Sequence, residues 1–198
     1  FRLTELQAAI VSPQIKNIKK IVQKRNANVD FLKKRLAGIP GIEFQNIEKE
    51  SLHSHYMMPI FFNENIFEVK RNIFLKAINA ELPNPSTWDT NPLAEGYVKP
   101  LYINKLYQKK IGQGRNNFPF NLTNREYQNG LCPITENLYY SELLLTPLIH
   151  EFTSIKSLEA FADAFEKVLE NIDSLKNIKI SNSISDPLEI INNNKSIK

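Results

Sequence analysis

The sequence predicts an α+β fold, with a long N-terminal helix leading into a small, mostly antiparallel sheet backed by helices. Three observations predict it. A helix-capping signal at Thr4–Gln7 opens an apolar pattern of helical spacing that runs to Leu36. Short apolar runs at 42–47, 55–62, 96–103 and 143–149 have the length of strands. Amphipathic stretches at 67–80 and 155–175 have the period of helices that back such strands.

Each element follows from its residues. The Thr4 hydroxyl can accept the Gln7 N–H while the Gln7 side chain reaches back, so Thr4-Glu5-Leu6-Gln7 reads as a capping box. Leu6, Ile10, Ile18, Ile21, Val22, Val29, Leu32 and Leu36 then recur near helical spacing. Pro13 should kink or restart this helix, because it removes a donor and clashes one turn back. Gly38, with Pro40 beyond it, supplies the stop. Ile42 to Ile47 alternates weakly as a short strand. "HYMMPIFF" at 55–62 is a second strand, and Pro59 predicts an edge or a bulge there. Phe67 to Ala80 carries Val69, Ile73, Phe74, Ala77 and Ile78 on one helical face. "LPNPSTWDTNP" is a loop by its prolines, and "GYVKPLYI" at 96–103 leaves it as a strand. Residues 104–131 form a long polar and aromatic connection, whose Phe118, Phe120 and Tyr127 favour a docked lid over disorder. Pro133 to Tyr140 is a short helix with Pro in its first turn. Leu143 to Ile149 is a strand. Thr153 or Ser154 caps a last helix carrying Ile155, Leu158, Phe161, Phe165, Val168, Leu169, Ile172 and Leu175. The domain plan is therefore a long helix over 1–38, a small domain over 39–176 with its lid at 104–131, and a disordered tail over 177–198.

Composition bounds the function. The 198 residues are 42% apolar and 23% charged, ordinary for a globular protein. No apolar run approaches the roughly 20 residues of a membrane span. Cys132 is the only cysteine, so no internal disulfide forms and a reducing, cytoplasmic setting is expected. The net charge is +4, but the bases are interleaved with 21 acids. The densest basic run, 16–35, reads as the charged face of a helix rather than a nucleic-acid footprint. Neither a nucleic acid nor a membrane is expected as a partner.

Most candidate constellations dissolve on inspection. His53 and His55 would share one face of a strand, but His150 is distant and no Cys or carboxylate cluster has ligand spacing, so no metal is expected. Cys132 in "LCPITENL" could pair only with His150, and a small buried hydrophobe explains it better than a nucleophile. "GQG" at 112–114 lacks the strand and helix flanks of a phosphate loop. Tyr97, Lys99 and Tyr102 remain. On an extended strand, 97 and 99 share a face and present a hydroxyl and an ammonium to an anionic or polyhydroxylated ligand. A snorkelling lysine among packed tyrosines is the competing explanation.

The opening "FRLTELQAAI" closely resembles a signature of the DegT/DnrJ/StrS aminotransferases. "SHYMMPIFF", "GYVKPLYINKLYQKK" and "CPITENLYYSELLLTPLIHEF" fall in that family's order, and Arg25 sits where its long helix carries an arginine. The resemblance runs over 1–176. It implies a pyridoxal-phosphate enzyme of the aspartate-aminotransferase fold, cytoplasmic and homodimeric at full length, that aminates a keto-sugar or keto-cyclitol with glutamate or glutamine as donor. Nucleotide-sugar or cyclitol biosynthesis is the setting it implies.

The same resemblance implies that only the C-terminal portion is present. In the family a large domain precedes this motif and carries the Schiff-base lysine, so no catalytic residue is expected in this chain and the fragment alone should be inactive. Arg2 matches the motif arginine that lies near the cofactor in the partner subunit, and its guanidinium suits an anion. Tyr97, Lys99 and Tyr102 match the substrate side, with Tyr97 standing where some members place a histidine. Glu5, Gln7 and Glu136 match motif positions and read as structural. Two rival classes stay open: a non-catalytic binding or regulatory module derived from such an enzyme, and a small basic nucleic-acid-binding protein.

Overall fold

The structure, a computed structural model, describes residues 3–83, 91–96 and 98–178. Its first element is α1 (Glu5–Arg35). The capping box forms: Thr4 Oγ1 accepts the Gln7 N–H at 3.3 Å, and Gln7 Oε1 accepts the Thr4 N–H at 3.1 Å. Lys33, Lys34 and Arg35 in its last turn oppose the negative end of the helix dipole. Pro13 does not restart the helix, which is continuous through it. The turn around it is exposed, so water can take the carbonyl that Pro13 leaves without a donor. Only the second half of α1 is buried in this chain, through Asn28, Val29 and Leu32.

The sheet has four antiparallel strands: β1 (Ile42–Phe44), β2 (Met58–Phe62), β3 (Ala94–Glu95) and β4 (Leu143–Thr146), in the spatial order β1-β2-β4-β3. β2 alternates as a half-covered strand should, with Met58, Ile60 and Phe62 buried. It is central rather than an edge, contrary to the reading of Pro59. Pro59 lies one residue beyond the end of β1, which stops opposite Ile60, so its missing donor costs no ladder bond on that flank.

The helix expected over 67–80 is two pieces, α2 (Glu64–Phe67) and α3 (Arg71–Glu81). Asn63 Oδ1 starts α2 by accepting from the Asn65 and Ile66 N–H groups. Glu68, at φ 55°, ends it. Glu64 Oε1 then accepts the Arg71 N–H at 2.8 Å, supplying α3 with the cap that Lys70 does not give.

The strand expected over 96–103 is a correction. Among the described residues only Ala94 and Glu95 pair, and Leu101–Ile103 is a 3₁₀ turn. The cause lies in the partner strand. β4 begins at Leu143, directly after a π-helical turn at Leu138–Glu142, so β4 offers no extended backbone beyond the partner of Gly96. The connection over 104–131 is folded. It holds a short α4 (Lys105–Gln108) and a ring cluster of Tyr107, Phe120 and Tyr127 with centroids 5.3 to 6.0 Å apart. α5 (Pro133–Asn137) leads into the π-helical turn, and α6 (Ile155–Glu170) closes the domain under its Ser154 cap.

α6 packs against both α1 and α3. Phe161 and Phe165 from α6, Phe74 from α3 and Phe62 from β2 are fully buried, and Phe74 meets Phe165 edge-on at 5.2 Å. Most of the tail read as disordered, 179–198, lies outside the described residues, and so does most of the Pro-rich loop, 84–90.

Candidate functional site

The segment singled out in the sequence is described in part. Arg2 and Tyr97 lie outside the described residues. Lys99 is half-buried, and Val98 before it is 57% exposed. Tyr102 is turned inward at 5% exposure. Burial pushes its phenol up, and Glu136 adds to the shift. Its hydroxyl donates to Asn129 Oδ1 at 3.5 Å. The strand on which Lys99 would share a face with Tyr97 does not reach Lys99. Lys99 sits in a short irregular span, and Tyr102 props the following turn from within.

That span is held at both ends. Upstream, Asn79 of α3 takes both polar groups of Leu93: its Nδ2 donates to the Leu93 carbonyl at 2.8 Å, and its Oδ1 accepts the Leu93 N–H at 3.0 Å. Thr146 Oγ1 donates to the Pro92 carbonyl at 2.8 Å. The Gly96 N–H donates to the Leu143 carbonyl at 3.1 Å. Downstream, Pro100, Tyr102 and Ile103 are buried. Gln108 Nε2 donates to the carbonyls of Tyr102 and Tyr127 at 2.6 Å each, tying this turn to the far end of the 104–131 connection.

Glu136 is structural, as the sequence suggested. Its carboxylate accepts the N–H groups of Gly130 and Cys132, the latter at 2.8 Å, and so holds the end of the 104–131 connection against α5. Burial pushes this carboxyl up, but those N–H groups and the Tyr102 hydroxyl outweigh it and hold it below its usual range. Cys132 itself is exposed, which corrects the reading of a buried hydrophobe.

The histidines divide. His150 belongs to a cluster with Arg25 and Glu151: Arg25 Nε donates to Glu151 Oε2 at 2.8 Å, and His150 places Nε2 3.2 Å from Arg25 Nη2 and Nδ1 2.9 Å from Glu151. Arg25 thus ties α1 to the segment after β4. His53 and His55 precede β2 instead of starting it, and their rings lie 4.2 Å apart. Among the described residues no group of three His, Cys, Asp or Glu could hold a metal ion.

Arg71 was not found in the sequence. It is 2% exposed, and its guanidinium donates to the carbonyls of Tyr139, Tyr140 and Leu143 at 2.8 to 3.1 Å. Burial lowers its pKa, with Glu95 and Glu64 opposing. One signal was available: a positive side chain in the first turn of a helix opposes the dipole, so an arginine there needs partners elsewhere.

Arg25, Arg35 and Arg71 are each committed, to Glu151 and His150, to Asp163 and Glu166, and to backbone carbonyls. None of these guanidinium groups is left to cradle a phosphate. No helix of the described residues is long and apolar enough to cross a membrane.

A four-stranded antiparallel sheet of this order, flanked by a long helix and closed by α6, is a fragment of an aminotransferase fold. A model of the DegT/DnrJ/EryC1/StrS aminotransferase family matches residues 1–135, and the chain belongs to that family. Among solved structures it is similar to an aminotransferase from Psychrobacter cryohalolentis, at TM-score 0.65 and 18% identity over 87% of this chain and 40% of that one. It is similar to DesV of S. venezuelae, solved with a ketimine intermediate, at TM-score 0.64 and 16% identity over 85% and 37%. It is also similar to Helicobacter pylori PseC, an aminotransferase of pseudoaminic acid biosynthesis, at TM-score 0.60 and 21% identity over 86% and 38%. The chain therefore spans less than half the length of the solved structures it matches. No curated protein matches it.

Proposed function

We propose that this chain is the long helix and small domain of a pyridoxal-phosphate aminotransferase that aminates a keto-sugar or keto-cyclitol, with glutamate or glutamine as donor. The observation that carries this reading is the family match over 1–135, joined to a fold shared with aminotransferases of which this chain spans 37 to 40%. Relatives solved with a ketimine intermediate, in a PMP form, or named for pseudoaminic acid biosynthesis support the same chemistry.

In this reading 1–38 bridges two domains and 39–176 forms the small domain. The Schiff-base lysine and most of the cofactor site lie on polypeptide outside this chain. Arg2 reaches the cofactor of a partner subunit in a homodimer. The amino-transfer chemistry is the cofactor's, and the protein supplies orientation and electrostatics. Tyr97 and Lys99 form the substrate-side wall, where a hydroxyl and an ammonium meet a hydroxylated, anionic acceptor. Tyr102, with its ring buried and its hydroxyl engaged, supports that wall.

The test is an acceptor screen. The holoenzyme carrying this chain is supplied with glutamate and a panel of keto-sugars and keto-cyclitols, and products are read by mass spectrometry. Amino-sugar or amino-cyclitol formation that needs the amino donor is expected. Donor-dependent amination of none of them, by a holoenzyme with bound cofactor, would overturn the substrate class.

A further inference from the structure

A buried guanidinium is tolerated only where its donors are used. Arg71, the first residue of α3, uses its donors on the backbone of one turn: Nη1 reaches the carbonyls of Tyr139 and Leu143 at 2.9 and 2.8 Å, and Nη2 reaches that of Tyr140 at 3.1 Å. Nε is held by Asn72 Oδ1 at 2.9 Å. The π-helical turn at Leu138–Glu142 ends here, and Arg71 supplies donors to carbonyls around its close.

The same turn seats Glu95 and Gly96. The Leu143 carbonyl that accepts from Arg71 also accepts the Gly96 N–H at 3.1 Å. Gly96, at φ +46°, lies against the Tyr139 ring so closely that a Cβ would stand 2.8 Å from Tyr139 Cδ2. The Tyr139 carbonyl is itself an Arg71 acceptor. Glu95 Oε2 lies 3.7 Å from the guanidinium. Two residues directly before Tyr97 thus rest on backbone that Arg71 organises. Pro100 is buried on the other side, so Val98 and Lys99 lie along the chain between two fixed points, Gly96 and Pro100.

We propose that Arg71 is the positioning residue for Lys99, setting where its side chain stands toward the acceptor substrate. The inference rests on the reading of Lys99 as part of the substrate wall. Arg71 touches no ligand; it acts through Leu143, Tyr139 and Gly96. Lysine cannot replace it, because a compact ammonium does not reproduce the planar fork that spans three carbonyls.

Two substitutions test this in the holoenzyme, Arg71→Lys and Gly96→Ala. Each is expected to raise KM for the keto acceptor by about ten- to a hundredfold, the scale of a displaced contact, with KM for the amino donor moving far less. The double variant should be little worse than either single one, because both displace the same platform. A second measurement needs no substrate. In the holoenzyme, Arg71→Lys should speed amide exchange over 94–96 and 98–99 while β2 and α6 keep their protection. Unchanged exchange there, or faster exchange spread evenly over the core, would overturn the inference. So would an equal rise in donor and acceptor KM. If the enzyme aminates no keto compound, the reading of the wall fails, and the exchange result still decides whether Arg71 positions Lys99.

Discussion

His55 is buried at 3% exposure, its Nδ1 has no hydrogen-bond partner among the described residues, and its backbone stands at φ 46°. Burial, reinforced by His53 and Lys33 and opposed by Asp30, pushes its pKa from 6.5 down to about 4. The unfolded chain therefore takes up this proton first as pH falls. Above pH 6.5 the imidazole is neutral in both states and costs nothing; stability is lost as pH falls from 6.5 through about 4. Asparagine tolerates the left-handed backbone and does not titrate here. The urea midpoint of His55→Asn should fall less over that window than that of the parent, and an equal fall would show that another group governs it. Spacing suggested that His53 and His55 share a strand face. It could not show that φ 46° delays β2 to Met58. Arg71 was illegible for a related reason: its partners lie 68 to 72 residues away in sequence.

Elements that depend on local chemistry were legible, and those set by a distant partner were not. The caps of α1 and α6 lie three residues from the N–H groups they accept, so Thr4 and the Thr153–Ser154 pair announced them. The apolar stripe of α6 likewise predicted a core face, and Leu158, Phe161, Phe165 and Val168 are all buried. Phe165 lies where α6 meets α3, 5.2 Å from both Phe74 and Phe161. Phe165→Ala should cost about 3–5 kcal/mol, since the surrounding rings cannot collapse into the space. Thermal or urea unfolding checks it, and a loss below about 1 kcal/mol, the range of exposed sites, would place the ring outside the core. β3 shows the opposite case. "GYVKPLYI" has strand composition, but its partner turns into a π-helix at Glu142 and the ladder stops at Gly96. Composition describes what a segment tolerates; the neighbour decides whether a strand forms.

For the whole molecule, the stripe that begins α1 is the informative surface. Leu6, Ile10 and Ile18 have the spacing of a buried face yet are 73, 56 and 55% exposed, whereas Val29, Leu32 and Leu36 further along are buried. An apolar stripe half covered by its own domain fits a helix that serves a second body. The family match and the 37 to 40% span of the solved relatives agree with that reading. Its central claim is an aminotransferase whose reactive lysine is not among these 198 residues. The most direct test is borohydride reduction of the product of the complete reading frame with pyridoxal phosphate bound, followed by peptide mapping. One labelled lysine outside residues 1–198, with label lost when glutamate is added before reduction, is the expected result. A single labelled lysine within 1–198, or no specific label at all, would contradict the account.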